Sequence, residues 1–154
     1  MAPTQLKFGI PDLELGCTSG KKINPATFAG HELIALFCPL DAAAAAQERE
    51  AYWVHRAEFV ERDAWLLTFA DQCGDLSVDG PSRLLTIPDG DRHAWVAFRG
   101  LTLHPEEFDR GNGAIFLFTR GGSLHRYWSG SGHVDEVLAE LRTPASEHPH
   151  QTAG

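Results

Sequence analysis

The sequence predicts a single α/β domain: a mixed central sheet with helices on both faces and an N-terminal β-hairpin. Three observations carry this expectation. The apolar runs Glu32–Phe37 (ELIALF), Ala64–Ala70 (AWLLTFA) and Ala114–Phe118 (AIFLF) have the length and composition of strands buried on both faces. A stretch of strong helix formers, Ala42–Glu61, joins the first run to the second and so makes a right-handed βαβ unit. The third run is followed by a tight turn, a second strand and an amphipathic helix, a terminal ββα unit. There is no internal repeat.

Each element has its own local cause. Residues 1–8 read as an extension, 9–142 as the domain and 143–154 as a disordered tail, with Pro144 stopping the last helix. Pro11–Leu15 and Lys21–Ile23 read as short strands about the turn Thr18-Ser19-Gly20. Asp41 is placed to cap the helix Ala42–Glu61, whose Ala46, Trp53, Ala57 and Val60 recur at helical spacing and are expected to face the core. Asp71–Ser82 is polar and reads as loop, and Leu84–Ile87 as a short strand. Pro88-Asp89-Gly90-Asp91 is a turn opening a short helix, Arg92–Phe98. Leu101–Asn112 fits no periodic pattern. Gly121-Gly122 turns the chain into an antiparallel strand, Ser123–Trp128. The final helix, His133–Leu141, has an apolar face of Val134, Val137, Leu138 and Leu141, and Asp135 and Glu136 suit its positive end.

Composition narrows the function. The 154 residues suffice for a real core, and 13 basic against 21 acidic residues give a net charge of −8. A nucleic-acid surface, which needs clustered Lys and Arg, is not expected. No apolar run approaches the ~20 residues of a membrane span. Met1–Lys7 has no apolar core resembling a signal peptide, so a cytoplasmic protein with reduced thiols is expected. Cys17, Cys38 and Cys73 are far apart and form no CxxC, so neither a structural zinc site nor any other metal or cofactor is expected.

The ordered segments resemble the peroxiredoxin branch of the thioredoxin fold, the group of alkyl hydroperoxide reductase and the bacterioferritin-comigratory type. Ile10-Pro11-Asp12-Leu13-Glu14-Leu15 is similar to that family's APDFEL opening, and Ser19-Gly20-Lys21-Lys22-Ile23-Asn24 to its DGKxVxLSD hairpin. Phe28-Ala29-Gly30 with ELIALF resembles its FxGKxVVLxF segment, and Cys38-Pro39-Leu40-Asp41 continues as its YPxD. Ala114–Gly122 resembles its ATFVIDPDG strand and turn, and HRYWSGSGHVDEVLAEL from His125 its terminal strand and helix. The likeness spans roughly residues 9–142 and implies a thioredoxin-like three-layer fold. It also implies a PxxxTxxC motif, in which a thiolate attacks peroxide beside a Thr and a distant Arg. Counted from Pro39, the Thr position is Ala43 and the cysteine position Ala46. The family's Arg, or the cis-proline of thioredoxins, falls at Gly113 or a neighbour, with Arg110 close but out of register. An alanine forms no thiolate, so the ordinary peroxidatic step has no nucleophile at that position.

Other chemical candidates are read beside ordinary structural roles. Cys38 is read first as a small apolar core residue and second as a relocated redox thiol. Cys73, beside Asp71 and Asp75, has neighbours that raise a thiol pKa, and Cys17 lies in a turn. His148-Pro149-His150 reads as tail, and His55 with Glu58 as surface helix rather than half a metal site. Gly130-Ser131-Gly132 before a helix lacks the full GxGxxG and reads as a loop and N-cap. Trp95 and Phe98, near Arg92 and Arg99, are read as core, with an exposed contact patch of Trp95, Phe98 and Arg99 as the alternative.

Two functions of different class follow. The first is a redox-inactive, peroxiredoxin-like binding, assembly or accessory subunit that meets a protein partner or a second copy of itself. The alternative is a divergent thiol peroxidase or oxidoreductase using Cys38, with antioxidant activity. A carrier of small molecules in the vacated pocket is a third reading.

Overall fold

In the computed structural model, residues 9–16, 22–70, 84–89 and 92–142 are described. Cys17, Cys73, His148, His150, the loop expected over 71–82 and both expected terminal extensions lie outside them.

The elements run β1 (Leu15–Gly16), β2 (Lys22–Ile23), β3 (Glu32–Phe37), α1 (Ala42–Trp53), α2 (Arg56–Glu61), β4 (Ala64–Ala70), β5 (Leu84–Pro88), α3 (His93–Arg99), β6 (Ala114–Phe118), β7 (Leu124–Ser129) and α4 (Val134–Arg142). β1 and β2 form the antiparallel hairpin, shorter than the sequence suggested. The main sheet has the order β5-β4-β3-β6-β7. β3, β4 and β5 are parallel; β6 runs antiparallel to β3, and β7 antiparallel to β6. The three apolar runs are thus its three central strands, paired Phe37 to Phe69 and Phe37 to Ala114. Their continuous hydrophobicity follows from being covered on both faces.

Alternate residues of β3 and the Cys38 that follows it feed two cores. Leu33, Ala35 and Phe37 face a layer holding Trp95 and Phe98 of α3, while Ile34, Leu36 and Cys38 face Tyr52, Phe59 and α4. The first core is aromatic: Phe37 stacks on Phe69 at 4.4 Å and meets Trp95 and Phe98 edge-on. Each such pair adds about 0.5–1.5 kcal/mol beyond burial. Trp95 is 4% exposed and Phe98 fully buried, which corrects the contact patch considered for Trp95, Phe98 and Arg99. Two aromatics on a seven-residue helix are worth more against Phe37 than against water. Asp89, itself buried, fixes that helix by accepting from the backbone N–H groups of Ala94 and Trp95.

The long helix expected over Ala42–Glu61 is two helices, turned at Val54 and His55. Its inner face is also not the expected one. Ala46, Ala57 and Val60 are exposed and Trp53 is half-buried, whereas Tyr52 and Phe59 are fully buried. Two large rings outweigh three small side chains in transfer free energy, so they set the rotation of the pair. The expected face of α4 is observed, with Val137, Leu138 and Leu141 buried.

Candidate functional site

Three strand ends and the connection from β3 to α1 form one edge of the sheet. The chain leaves β3 at Phe37, passes through buried Cys38 and Pro39 and emerges at Leu40, which is 42% exposed. Asp41 then starts α1, its carboxylate accepting from the Ala44 N–H at 2.9 Å as the sequence implied. At the head of α1, Ala42, Ala43 and Ala46 are exposed, and Ala44 and Ala45 are half-buried. The surface here is methyl groups with one capped carboxylate.

The connection is held from behind by the segment 109–113. Cys38 N–H donates to the Phe69 carbonyl and Leu40 N–H to the Gly111 carbonyl, both at 3.1 Å. Gly113, with φ +83°, lies so close that a Cβ would stand 2.5 Å from the Phe37 carbonyl oxygen and 3.1 Å from the Pro39 nitrogen. Glycine is required there both by φ and by contact.

Arg110, close to the family's Arg position in sequence but out of register, does reach the strand ends. The helical turn Arg110–Asn112, started by Asp109 accepting from Gly111 N–H, carries it under the strand ends. It is 7% exposed. Its guanidinium donates to the carbonyls of Cys38 and Phe69 and lies 5.6 Å from the Phe37 ring and 5.7 Å from that of Trp95. It therefore sits on the Phe37 side of β3, while the Cys38 side chain belongs to the opposite core. It reaches the main chain of Cys38 from the face opposite the thiol.

On the thiol's own side, Cys38 and Tyr52 are both fully buried. The Tyr52 hydroxyl makes no hydrogen bond to a protein group, and burial, with Glu48, Cys38 and Glu136 adding to it, pushes its pKa far up. Glu48, one turn before Tyr52, is 6% exposed. Its carboxylate accepts from Gly132 N–H at 3.0 Å, and burial keeps its pKa above the ordinary carboxylate value despite that bond and the nearby His133. The loop Gly130-Ser131-Gly132 thus meets an anion, but the anion is the protein's own Glu48.

The remaining candidates stand apart from this edge. His55 lies in the turn between α1 and α2, while Glu58 pairs with Arg62 at 3.3 Å. Among the described residues, His104, Glu106 and Glu107 bring ligand atoms within 4.8 Å of one another, all exposed on a short turn that the sequence reading left unassigned. A shallow groove of about 550 Å³ runs between Pro11–Leu13 and the start of α3, lined by Arg92, His93, Val96 and Ala97. It includes none of the α1 head residues. No helix among the described residues is long and apolar enough to cross a membrane.

No protein-family model matches the chain, and no curated protein matches it in sequence. Solved structures do match. The bacterioferritin comigratory protein of Xanthomonas campestris, studied for alkyl peroxide reduction, superposes with a TM-score of 0.63 at 20% identity, over 84% of this chain and 90% of that one. Peroxidoxin BcpB from Mycobacterium tuberculosis gives 0.68 at 15% identity, over 87% and 94%. The mitochondrial 2-Cys peroxiredoxin of Plasmodium falciparum gives 0.67 at 12% identity, over 88% and 90%. The chain therefore has the peroxiredoxin-like form of the thioredoxin fold.

Proposed function

We propose that this peroxiredoxin-like chain has lost the peroxidatic cysteine and acts as a non-catalytic binding, assembly or accessory subunit, using the head of α1 as its contact surface. The observation that carries this reading is the pair of exposed methyls, Ala43 and Ala46, at the positions matched to the family's Thr and Cys. An acyl, peroxide or disulfide reaction needs a nucleophile in reach of substrate, and a methyl supplies none. One of the expected losses is amended: a guanidinium is present at the strand ends. Arg110 nevertheless directs hydrogen bonds to two main-chain carbonyls, from the face opposite the Cys38 side chain. Cys38 is fully buried, which supports its reading as core. The exposed alanines and Leu40 allow another backbone to approach closely.

Hydroperoxide turnover by the purified protein tests the catalytic half. The expected result is no turnover above buffer; robust turnover that vanishes in Cys38→Ser would instead establish the alternative, a thiol peroxidase using Cys38. The binding half is tested by size-exclusion chromatography and pull-down from the native host. A specific complex or self-association should be lost in Ala43→Glu and Ala46→Arg and kept in Ala57→Arg, an exposed position on α2. Equal retention in all three variants would remove the α1 head from the interface.

A further inference from the structure

Residues 130–133 join β7 to α4 and lie against α1. Gly130 has φ +86° and Gly132 φ +83°, left-handed backbone that other residues adopt only with strain. Three residues of the loop, Gly130, Gly132 and His133, are tied to its surroundings. Gly130 N–H donates to the Gly113 carbonyl at 2.9 Å, and Gly132 N–H to the Glu48 carboxylate at 3.0 Å. His133 bridges two further oxygens: Nδ1 is 2.7 Å from Glu136 Oε1, and Nε2 is 2.9 Å from the Ser129 carbonyl.

The chemistry of that bridge selects a protonation state. A carbonyl oxygen only accepts, and an exposed carboxylate near neutral pH only accepts. A neutral imidazole has one N–H and can satisfy one of them; the imidazolium has two and satisfies both. The charges facing the ring agree. Glu136 comes from its own helix, and buried Glu48, with the neutral Tyr52 phenol one turn on, from α1. β7 contributes Trp128, on which the ring stacks at 6.2 Å, and Arg126, whose guanidinium lies 4.7 Å from that indole. Two carboxylates thus act against one guanidinium.

We propose that residues 130–133 are a proton-operated latch, closed on α1 when His133 is imidazolium and released when that proton leaves. Release loosens the hydrogen bond to Glu48 and opens the side of α1 that carries Glu48 and Tyr52. The latch stands independently of any partner at the head of α1. Burial of the His133 ring works against its charge, but the bonds to Glu136 and Ser129 and the charges of Glu136 and Glu48 prevail and raise its pKa.

NMR on the full chain tests this. The ring nitrogens of His133 and the amide exchange of Gly132 are followed from pH 5 to 8, with exchange corrected for its intrinsic base catalysis. The expected result is a rise of about tenfold in corrected Gly132 exchange, tracking the His133 titration. In His133→Gln the rise should disappear. In Glu136→Gln the His133 midpoint should fall, and the Gly132 rise should move to lower pH with it. Corrected exchange that is flat through the His133 titration, or a rise that persists in His133→Gln, overturns the proposal. So does an opening that stays in place while the His133 midpoint moves in Glu136→Gln.

Discussion

Gly113 and Arg110 show how single residues fix the edge of the sheet. Gly113→Ala places a methyl 2.5 Å from the Phe37 carbonyl at a left-handed φ, so it should cost about 2–4 kcal/mol, read as a lower urea midpoint. Arg110→Met keeps the packing on Phe37 and Trp95 but takes the guanidinium donor from the buried Cys38 carbonyl, while the Phe69 carbonyl keeps the Cys38 N–H; a loss of roughly 1–3 kcal/mol is expected in the same measurement. Tyr52 has the opposite sign. Its buried hydroxyl makes no protein hydrogen bond, so Tyr52→Phe should be neutral or stabilise by up to about 1 kcal/mol. A loss above about 1 kcal/mol there would show that the hydroxyl is satisfied in solution. Of these residues, Gly113 was legible in the sequence, though only as the place where the family's Arg or cis-proline falls and not for its left-handed φ or its contact with Phe37. Arg110 was not, because Leu101–Asn112 folds as two short helical turns and a bend, Pro105–Glu107 and Arg110–Asn112 among them, which leave no period to count.

At the scale of elements, the strands were the most legible, since a run such as ELIALF has few places to go except the centre of a sheet. Their pairing followed from the βαβ and ββα connections. The helix after β3 was legible in kind but not in rotation. Five consecutive alanines carry no directional signal, so the face was decided by Tyr52 and Phe59, seven residues apart across a break at Val54 and His55. This has a direct test. Phe59→Ala should destabilise by about 3–5 kcal/mol, while Val60→Ala, at a position 46% exposed, should stay within about 0.5 kcal/mol. The reverse ranking would restore the face drawn from Ala46, Trp53, Ala57 and Val60. The same alanines that hid the rotation define the surface at the helix head, where a side chain able to react would have left a plainer mark.

Across the whole molecule, the junction of α1, β7 and α4 sets the pH response. Glu48 and His133 have raised pKa values, from burial and from the Glu136 and Ser129 hydrogen bonds respectively, so the stability they contribute is full at low pH and is lost as pH rises through those values. Glu136 is lowered by its bond to His133, and Glu140 by His125 and Arg126 against the opposing effect of burial. Their contribution is present above the ordinary carboxylate value near 4.5 and is lost as pH falls below it. Thermal midpoints should therefore peak between that value and the ordinary histidine value near 6.5, and decline toward pH 8. The net charge of −8 adds to the decline through self-repulsion. A midpoint still rising at pH 8 would mean that this junction does not govern the response.

The reactivity of one sulfur, that of Cys38, separates a binding subunit from a peroxidase. The reduced native protein is mixed with a small excess of hydroperoxide and the sulfenic acid formed at Cys38 is trapped and quantified by mass spectrometry, with the unfolded chain as reference. Burial of the thiol behind the α1 head predicts that Cys38 reacts far more slowly in the native protein than in the unfolded one. Stoichiometric sulfenate at Cys38 within seconds, faster than in the unfolded chain, would contradict the account and make this chain a peroxidase.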